Sequence, residues 1–173
     1  MQRVATLPAV QIVPADESDL EGITAIYNDV IARSTAIFSD DPVSVENRRE
    51  WLAERQARGF PVLVAREDGT VLAFGSFGDF RAWPGYRTTV EHSVHVAAGH
   101  RRRGIGAQLV SVLIDEARAL GMHVMIAGVV STNEASLALH RRLGFVEVGR
   151  LPEVARKFDE WLELVLLQLA LEP

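Results

Sequence analysis

Apolar residues at Leu20, Ile23, Ile26, Tyr27, Val30 and Ile31 recur at three- and four-residue spacing and predict a helix with one buried face. Asp16 to Asp19 supply cap-forming side chains just before it, and the run Val10 to Val13, ended by Pro14, reads as a short strand. Ser34 to Pro42 breaks the helical period. It resumes over roughly Val45 to Arg58, around Trp51 and Leu52, and stops at Gly59, which tolerates positive φ. Two apolar runs follow, Pro61 to Ala65 and Val71 to Phe77. The Asp68-Gly69 pair between them predicts a hairpin.

Phe80 to Thr89, with Pro84 and Gly85, predicts an irregular loop. Val90 to Val96 is the next strand; alternation sends Glu91, Ser93 and His95 to one face and Val90, His92, Val94 and Val96 to the other. A glycine-bearing turn, Gly99 to Gly106, leads into a helix from about Ala107 to Leu120, with Leu109, Val112, Leu113 and Ala117 inward and Gly121 as its stop. Val124 to Val130 is continuously apolar, as expected of a strand covered on both faces. Asn133 to Leu143 reads as a short helix ended by Gly144. Phe145 to Val148 and Trp161 to Leu169 read as closing strands, although the period of the second fits a helix as well. The sum is an α/β domain spanning residues 1–173, with a mixed sheet and helices on both sides.

Composition narrows the chemistry. The net charge of −5 gives no general attraction to nucleic acid or to an anionic membrane, and no extended basic stripe compensates. The absence of cysteine excludes disulfides, thiolate catalysis and Cys-based metal sites, and it suits a reducing compartment. No apolar run approaches the roughly 20 residues of a membrane span. Met1 to Val13 has one basic residue, Arg3, and no leader pattern, so a cytoplasmic protein is expected. Lys157 is the only lysine among 18 basic residues, which reads as a coding bias.

The most informative stretch runs from Val94 through Ala97, Ala98 and Arg101-Arg102-Arg103-Gly104-Ile105-Gly106-Ala107. A strand feeds a tight loop, and two glycines one residue apart open a helix. Backbone N–H groups then converge at the positive end of a helix dipole, a site suited to a phosphate. A dinucleotide fingerprint would need glycine at 109, which is leucine, and the Gly-Lys-Ser/Thr of a nucleotide P-loop is absent. The stretch resembles the coenzyme pyrophosphate loop of GNAT N-acetyltransferases, Arg/Gln-x-x-Gly-x-Gly/Ala. Asn133-Glu134-Ala135-Ser136-Leu137-Ala138-Leu139-His140 with Gly144-Phe145 resembles that superfamily's second motif, Asn-x-x-Ser-x-x-Leu-Tyr-x-x-x-Gly-Phe. Within GNAT, the chain is similar to the phosphinothricin and methionine sulfoximine acetyltransferases. That likeness rests on Ala25 to Asn28, Ser34 to Phe38, Asn47-Arg48, Gly59 to Val64, Ser76 to Arg81, Tyr86 to Val94 and Lys157-Phe158 followed by Trp161-Leu162.

The resemblance implies a mostly antiparallel mixed sheet splayed in the middle, with acetyl-CoA as co-substrate and no metal. It implies that Val94, His95, Val96, Ala97 and Ala98 face the pantetheine arm, with the Val96 N–H polarising the thioester carbonyl. Arg101, Arg102, Arg103, Gly104, Ile105, Gly106, Ala107, Gln108 and Leu109 would hold the pyrophosphate. Asn133 and Ser136 fall where the family contacts pantetheine, Asn133 being equally readable as a helix N-cap. His140 stands where GNAT enzymes generally carry a tyrosine that protonates the departing thiolate; donor and packed helix histidine both fit it.

Transfer to an amine requires loss of the ammonium proton. Glu91 is the candidate base, on the face shared with Ser93 and His95; a solvent-facing residue paired with an arginine is its other reading. Arg81 and Arg87 bracket the loop expected over the acceptor, and guanidinium groups suit a carboxylate or phosphinate. Phe38, Phe80, Trp83 and Tyr86 would supply apolar walls, or else core or dimer contacts; Ser93 joins the substrate face, and His95, where relatives usually carry tyrosine, reads as substrate contact, second base or filler. The expected reaction is direct transfer to a small α-amino acid such as methionine sulfoximine, methionine sulfone or phosphinothricin. An antibiotic amine, a polyamine or a protein N-terminus is the competing acceptor, and a non-catalytic acyl-CoA-binding module the competing class. A homodimer, with Trp161 to Leu169 as candidate contact, is implied by the family, and detoxification and incidental resistance stand equally open as roles.

Overall fold

The computed structural model describes residues 10–171, so part of the segment searched for a leader, residues 1–9, lies outside it. Its strands are β1 (Gln11–Pro14), β2 (Val62–Glu67), β3 (Thr70–Asp79), β4 (Thr89–Val96), β5 (Val124–Val130), β6 (Val146–Lys157) and β7 (Glu160–Ala170), and its helices α1 (Leu20–Arg33), α2 (Val45–Ala57), α3 (Ile105–Ala119) and α4 (Glu134–Arg142). All seven strands join one sheet in the order β1-β2-β3-β4-β5-β7-β6. Only β4 and β5 run parallel among its pairings. No helix among the described residues is long and apolar enough to cross a membrane.

The apolar periods sort the helices onto two faces. On one, Leu20, Ile23 and Ile26 of α1 and Leu52 of α2 bury against Val62, Val64 and Phe74. On the other, Leu109, Leu113 and Ala117 of α3 bury against Ala73, Phe77, Val90 and Met125. A Cβ at Gly75 would come within 3.1 Å of Leu113 Cδ1 and 2.8 Å of Val94 Cγ2, so the missing side chain lets α3 approach the sheet. The chain enters α1 through a capping box: Asp16 accepts from the Ser18 N–H at 2.8 Å, and Asp19 accepts from the Asp16 N–H at 2.9 Å.

Three expectations are revised. Helix α3 starts at Ile105, two residues early, because Gly104 in the left-handed region (φ 80°) begins the turn. Val112 is half-buried at the edge of its cluster. Strand β6 continues past Val148 to Lys157, and β7 is a strand paired to both β5 and β6. Beyond Val148, β6 is an exposed edge strand whose register shifts between Leu151 and Ala155, so no alternation marks it.

The single lysine has a structural task rather than only a coding origin. Lys157 is 2% exposed, and its ammonium donates to the carbonyls of Ile31 at 2.6 Å, Ser34 at 2.8 Å and Ile37 at 2.8 Å. It ties the β6–β7 turn to the end of α1 and the loop beyond. A compact ammonium serves three converging acceptors, which a planar guanidinium fork does not. Lys157→Met should cost about 3 kcal/mol by leaving three carbonyls without their charged donor, a Tm loss of roughly 6–12 °C by calorimetry. Lys157→Arg should not restore it; a wild-type Tm in either variant would refute the clamp.

Candidate active site

The site begins where two strands part. Pairing of β4 with β5 covers Thr89 to Glu91 against Val124 to Ile126 and then ceases, although both strands continue. Phe80 N–H donates to Thr89 O and Ala97 N–H to Leu72 O, so odd-numbered β4 residues bond to β3. By antiparallel alternation, Val94 and Val96 turn their N–H and C=O groups toward the gap. Apart from the Val96 carbonyl, which accepts from Arg101 Nε at 3.4 Å, these groups of an extended segment have no partner among the described residues, the geometry that accepts an added strand-like arm.

The gap opens into a cleft of about 790 Å³ lined by Val94, His95 and Val96, by Arg101, Arg102, Gly104, Ile105, Gly106 and Ala107, and by Asn133, Ser136 and His140. At its α3 end, Gly104 adopts φ 80° and Arg102 φ 63°, so the loop folds back on itself. Gln108 N–H is the first to find an intrahelical acceptor, Gly104 O at 3.1 Å, which leaves the N–H groups of Ile105, Gly106 and Ala107 without one. With Arg101 and Arg102 beside them, they suit a pyrophosphate. Arg103 does not join them: it pairs with Glu67 at 2.7 Å and contacts His100 Nδ1 at 2.9 Å. Ala98 and Gln108 are exposed outside the cleft lining, and the side chain of Leu109 is fully buried in the core.

Asn133 caps α4, its side chain accepting from the Ser136 N–H at 3.2 Å, and it lines the cleft as well, so its two readings coexist. His140 forms a buried pair that sequence reasoning missed. Its Nδ1 lies 2.7 Å from Ser136 O and its Nε2 3.1 Å from Nε2 of His92. The rings stack at 5.1 Å, and Phe145 packs on both. A carbonyl acceptor fixes the proton on His140 Nδ1, so in a neutral pair His92 donates from Nε2 and leaves its buried Nδ1 without a partner. Both nitrogens of His140 are thus engaged, and a proton given to the cleft would require exchanging one bond. Burial, reinforced by His140 and His95, pushes His92 down to about 3. Burial also lowers His140.

Glu91, Ser93 and His95 lie on the face of α1 and α2, as alternation predicts. Burial raises the Glu91 carboxyl above the usual range, with Arg81 opposing. A Cβ at Gly128 would stand 3.1 Å from Glu91 Oε1, so the carboxylate reaches over β5 at the mouth of the gap. His95 packs on Tyr27 and Phe74 at 5.9 and 5.3 Å, and burial with Arg48 nearby pushes it down to about 4. The loop residues form an open rim rather than a closed wall. Phe80 and Tyr86 meet edge to face at 5.8 Å, and Arg81 lies over Phe80 at 4.3 Å. Arg87 donates to Pro84 O, Trp83 is 75% exposed, and Phe38 is exposed on the loop after α1.

The profile of the Acetyltransferase (GNAT) family matches residues 23–145, the stretch that builds this cleft. The chain belongs to the GNAT acetyltransferase family. It is 48% identical over 166 residues to the L-methionine sulfoximine/L-methionine sulfone acetyltransferase of Pseudomonas aeruginosa, covering 95% of this chain and 96% of that one. It is 47% identical over 158 residues to the L-amino acid N-acyltransferase MnaT of Escherichia coli, covering 91% and 92%. The structure of yncA from Salmonella typhimurium with its cofactor acetyl-CoA matches at TM-score 0.93 and 47% identity, covering 95% of each chain. The splayed strands and free N–H groups are suited to a coenzyme of the kind that the Salmonella structure holds. Acetyl-CoA fits the residues present: an extended arm along Val94 to Val96, and phosphates at the α3 terminus.

The buried histidines tie stability to pH. Each must be neutral in the fold but charges near 6.5 when unfolded, so the stability it contributes is complete above pH 6.5 and is lost as pH falls toward 3 for His92 and 4 for His95. Between pH 7 and 5 the loss should be on the order of 2 kcal/mol per histidine. Urea denaturation at the two pH values measures it, and His92→Phe should flatten the slope. An unchanged slope in that variant would show that His92 does not titrate on unfolding.

Proposed function

We propose that this GNAT enzyme acetylates the α-amino group of a small amino acid with a tetrahedral sulfur or phosphorus side chain, by direct transfer in a ternary complex. The observation that carries the reading is the position of Glu91 at the mouth of the β4–β5 gap, raised by burial and within the field of Arg81. Acetyl-CoA supplies the activated acetyl group when bound. Glu91 takes the ammonium proton of the acceptor, and its raised pKa makes it a better base near neutrality than an exposed carboxylate. The Val96 N–H, free of the ladder, is oriented to polarise a carbonyl in the gap. Arg81 and Arg87 attract an α-carboxylate, while Phe38, Phe80, Trp83 and Tyr86 flank a short aliphatic chain.

The kinship to methionine sulfoximine/sulfone acetyltransferases supports this acceptor class over a polycation, as do the rim arginines. We place the reaction in the cytoplasm, to which the lack of cysteine is suited. A homodimer is part of the proposal. Val146, Val148, Leu151 and Val154 on edge strand β6, with Phe158 and Trp161 beyond, leave an apolar surface exposed on the terminal hairpin. The interface is therefore expected on β6 and the hairpin turn more than on Leu162 to Leu169, none of which is exposed.

Thiol release should be selective for methionine sulfoximine, methionine sulfone or phosphinothricin over polyamines and an aminoglycoside; turnover of polycations alone would overturn the acceptor class. Glu91→Gln should lower kcat at pH 7 at least about 100-fold with coenzyme affinity unchanged. The proton-accepting form is lost as pH falls through the raised Glu91 pKa, so the acidic limb of the wild-type kcat/KM profile should vanish in that variant. A retained limb would remove Glu91 from the base role. Light scattering should give twice 19.1 kDa for the wild type and 19.1 kDa for a Val148→Glu, Val154→Glu variant, whereas a monomeric wild type would rule out the dimer.

A further inference from the structure

Helix α2 turns two arginines toward the sheet. Arg48 and Arg55 are seven residues apart, on the side of the helix that carries Trp51 and buried Leu52. Arg33, Arg66, Arg103 and Arg150 each pair with a carboxylate, but among the described residues Arg48 and Arg55 do not. Arg48 stands over the rings of Tyr27 at 4.4 Å and Trp51 at 5.1 Å, and it bonds to the side-chain oxygen of its neighbour Asn47 at 2.7 Å. Arg55 has its Nε buried with no hydrogen-bond partner. Its guanidinium lies on the backbone of Gly78, where a Cβ would come within 2.6 Å of Cζ and 2.9 Å of Nη2.

The strand register puts these cations on the catalytic face. Phe74 is opposite His95, Ser76 opposite Ser93 and Gly78 opposite Glu91. Arg48 is therefore at the His95 end of the row and Arg55 at the Glu91 end, with exposed Ser93 between them. Glu91 turns its carboxylate away from Arg55, over Gly128 of β5. Arg55 over β3 and the Glu91 head over β5 are thus two strand spacings apart, about 10 Å. An amine at Glu91 leaves its own α-carboxylate far short of that distance. A side-chain oxygen four or five bonds further on reaches it, with a hydrogen bond at each end.

We propose that Arg48 and Arg55 form a seat for the side-chain oxygens of the acceptor, a phosphinate, sulfone or sulfoximine, while Arg81 serves the α-carboxylate. The seat deepens the reading under Proposed function and rests on it. It selects among α-amino acids by the oxygens they carry at the far end. Arg48, half-buried over the rings of Tyr27 and Trp51, and Arg55, whose buried Nε has no partner, are held ready for an anion or a strongly polar oxygen, and methionine itself gives them nothing to bind.

The test compares phosphinothricin, methionine sulfone and methionine as acceptors with wild type, Arg48→Met, Arg55→Met and Gly78→Ala. The last variant displaces the Arg55 guanidinium with one methyl group. Each variant should lose at least tenfold in kcat/KM for phosphinothricin, less for the sulfone and under twofold for methionine, with acetyl-CoA affinity unchanged. Equal losses on all three acceptors, or none in either arginine variant, would overturn the seat. A binding arm separates this failure from that of the acceptor class. In a Trp83→Phe, Trp161→Phe background, dimethylphosphinate should perturb the emission of Trp51, and Arg48→Met should abolish the response. An anion response without turnover of any amino acid would leave the seat standing and refute the acceptor; no response would refute the seat.

Discussion

The divergence of β4 from β5 after Glu91 and Ile126 is the constraint on which the molecule is built. A parallel pair that closed along its whole length would bury the backbone groups of Val94 and Val96 in a ladder and leave nothing to bind with. Held apart, the same groups face a cleft and need partners. The helix start lies close to both walls: a Cβ at Gly106 of α3 would sit in ordinary van der Waals contact with Val96 at 3.5 Å and with Leu139 of α4 at 3.6 Å, so about one methyl group separates it from strand and second helix. On the far side, Lys157 secures the loop that carries Ser34 and Ala36, two residues of the cleft wall.

Charge is distributed around that opening by environment rather than by net composition. An acidic chain keeps Arg101 and Arg102 without a carboxylate partner among the described residues at the positive end of α3, while Arg103 is neutralised by Glu67 from the far end of β2. The histidines at the gap are held neutral by burial, and burial also raises the carboxyl of Glu91 at its mouth. His92 and His140 close the floor as an uncharged pair and define the tautomer each presents.

Local signals were read well where one face of an element is buried and the other is wet. The period of Leu20 to Ile31, the Asp68-Gly69 turn and the glycines of 104 to 106 each act over a few residues, and each appears in the structure within two residues of its expected place. The extension of β6 was not legible, because an exposed, bulged edge strand imposes no alternation on its side chains. Trp161 to Leu169 was ambiguous for the opposite reason: it is apolar nearly throughout, and only pairing with β5 and β6 distinguishes strand from helix.

The sequence by itself determined the GNAT character of the chain, the alternation that aims Glu91, Ser93 and His95 at one face, and the turn that collects N–H groups at α3. The first rests on resemblance to the family motifs at Arg101 to Gly106 and Asn133 to Phe145, the other two on interactions between near neighbours in the chain. Tertiary structure alone decided that His140 would meet His92, that Arg103 would turn to Glu67, and that Arg48 and Arg55 would face the sheet without a carboxylate. It also turned an isolated lysine into a clamp on three carbonyls. Each of these depends on which distant segments pack side by side, and the energy of a buried polar group is set by the partner that arrives from elsewhere in the fold.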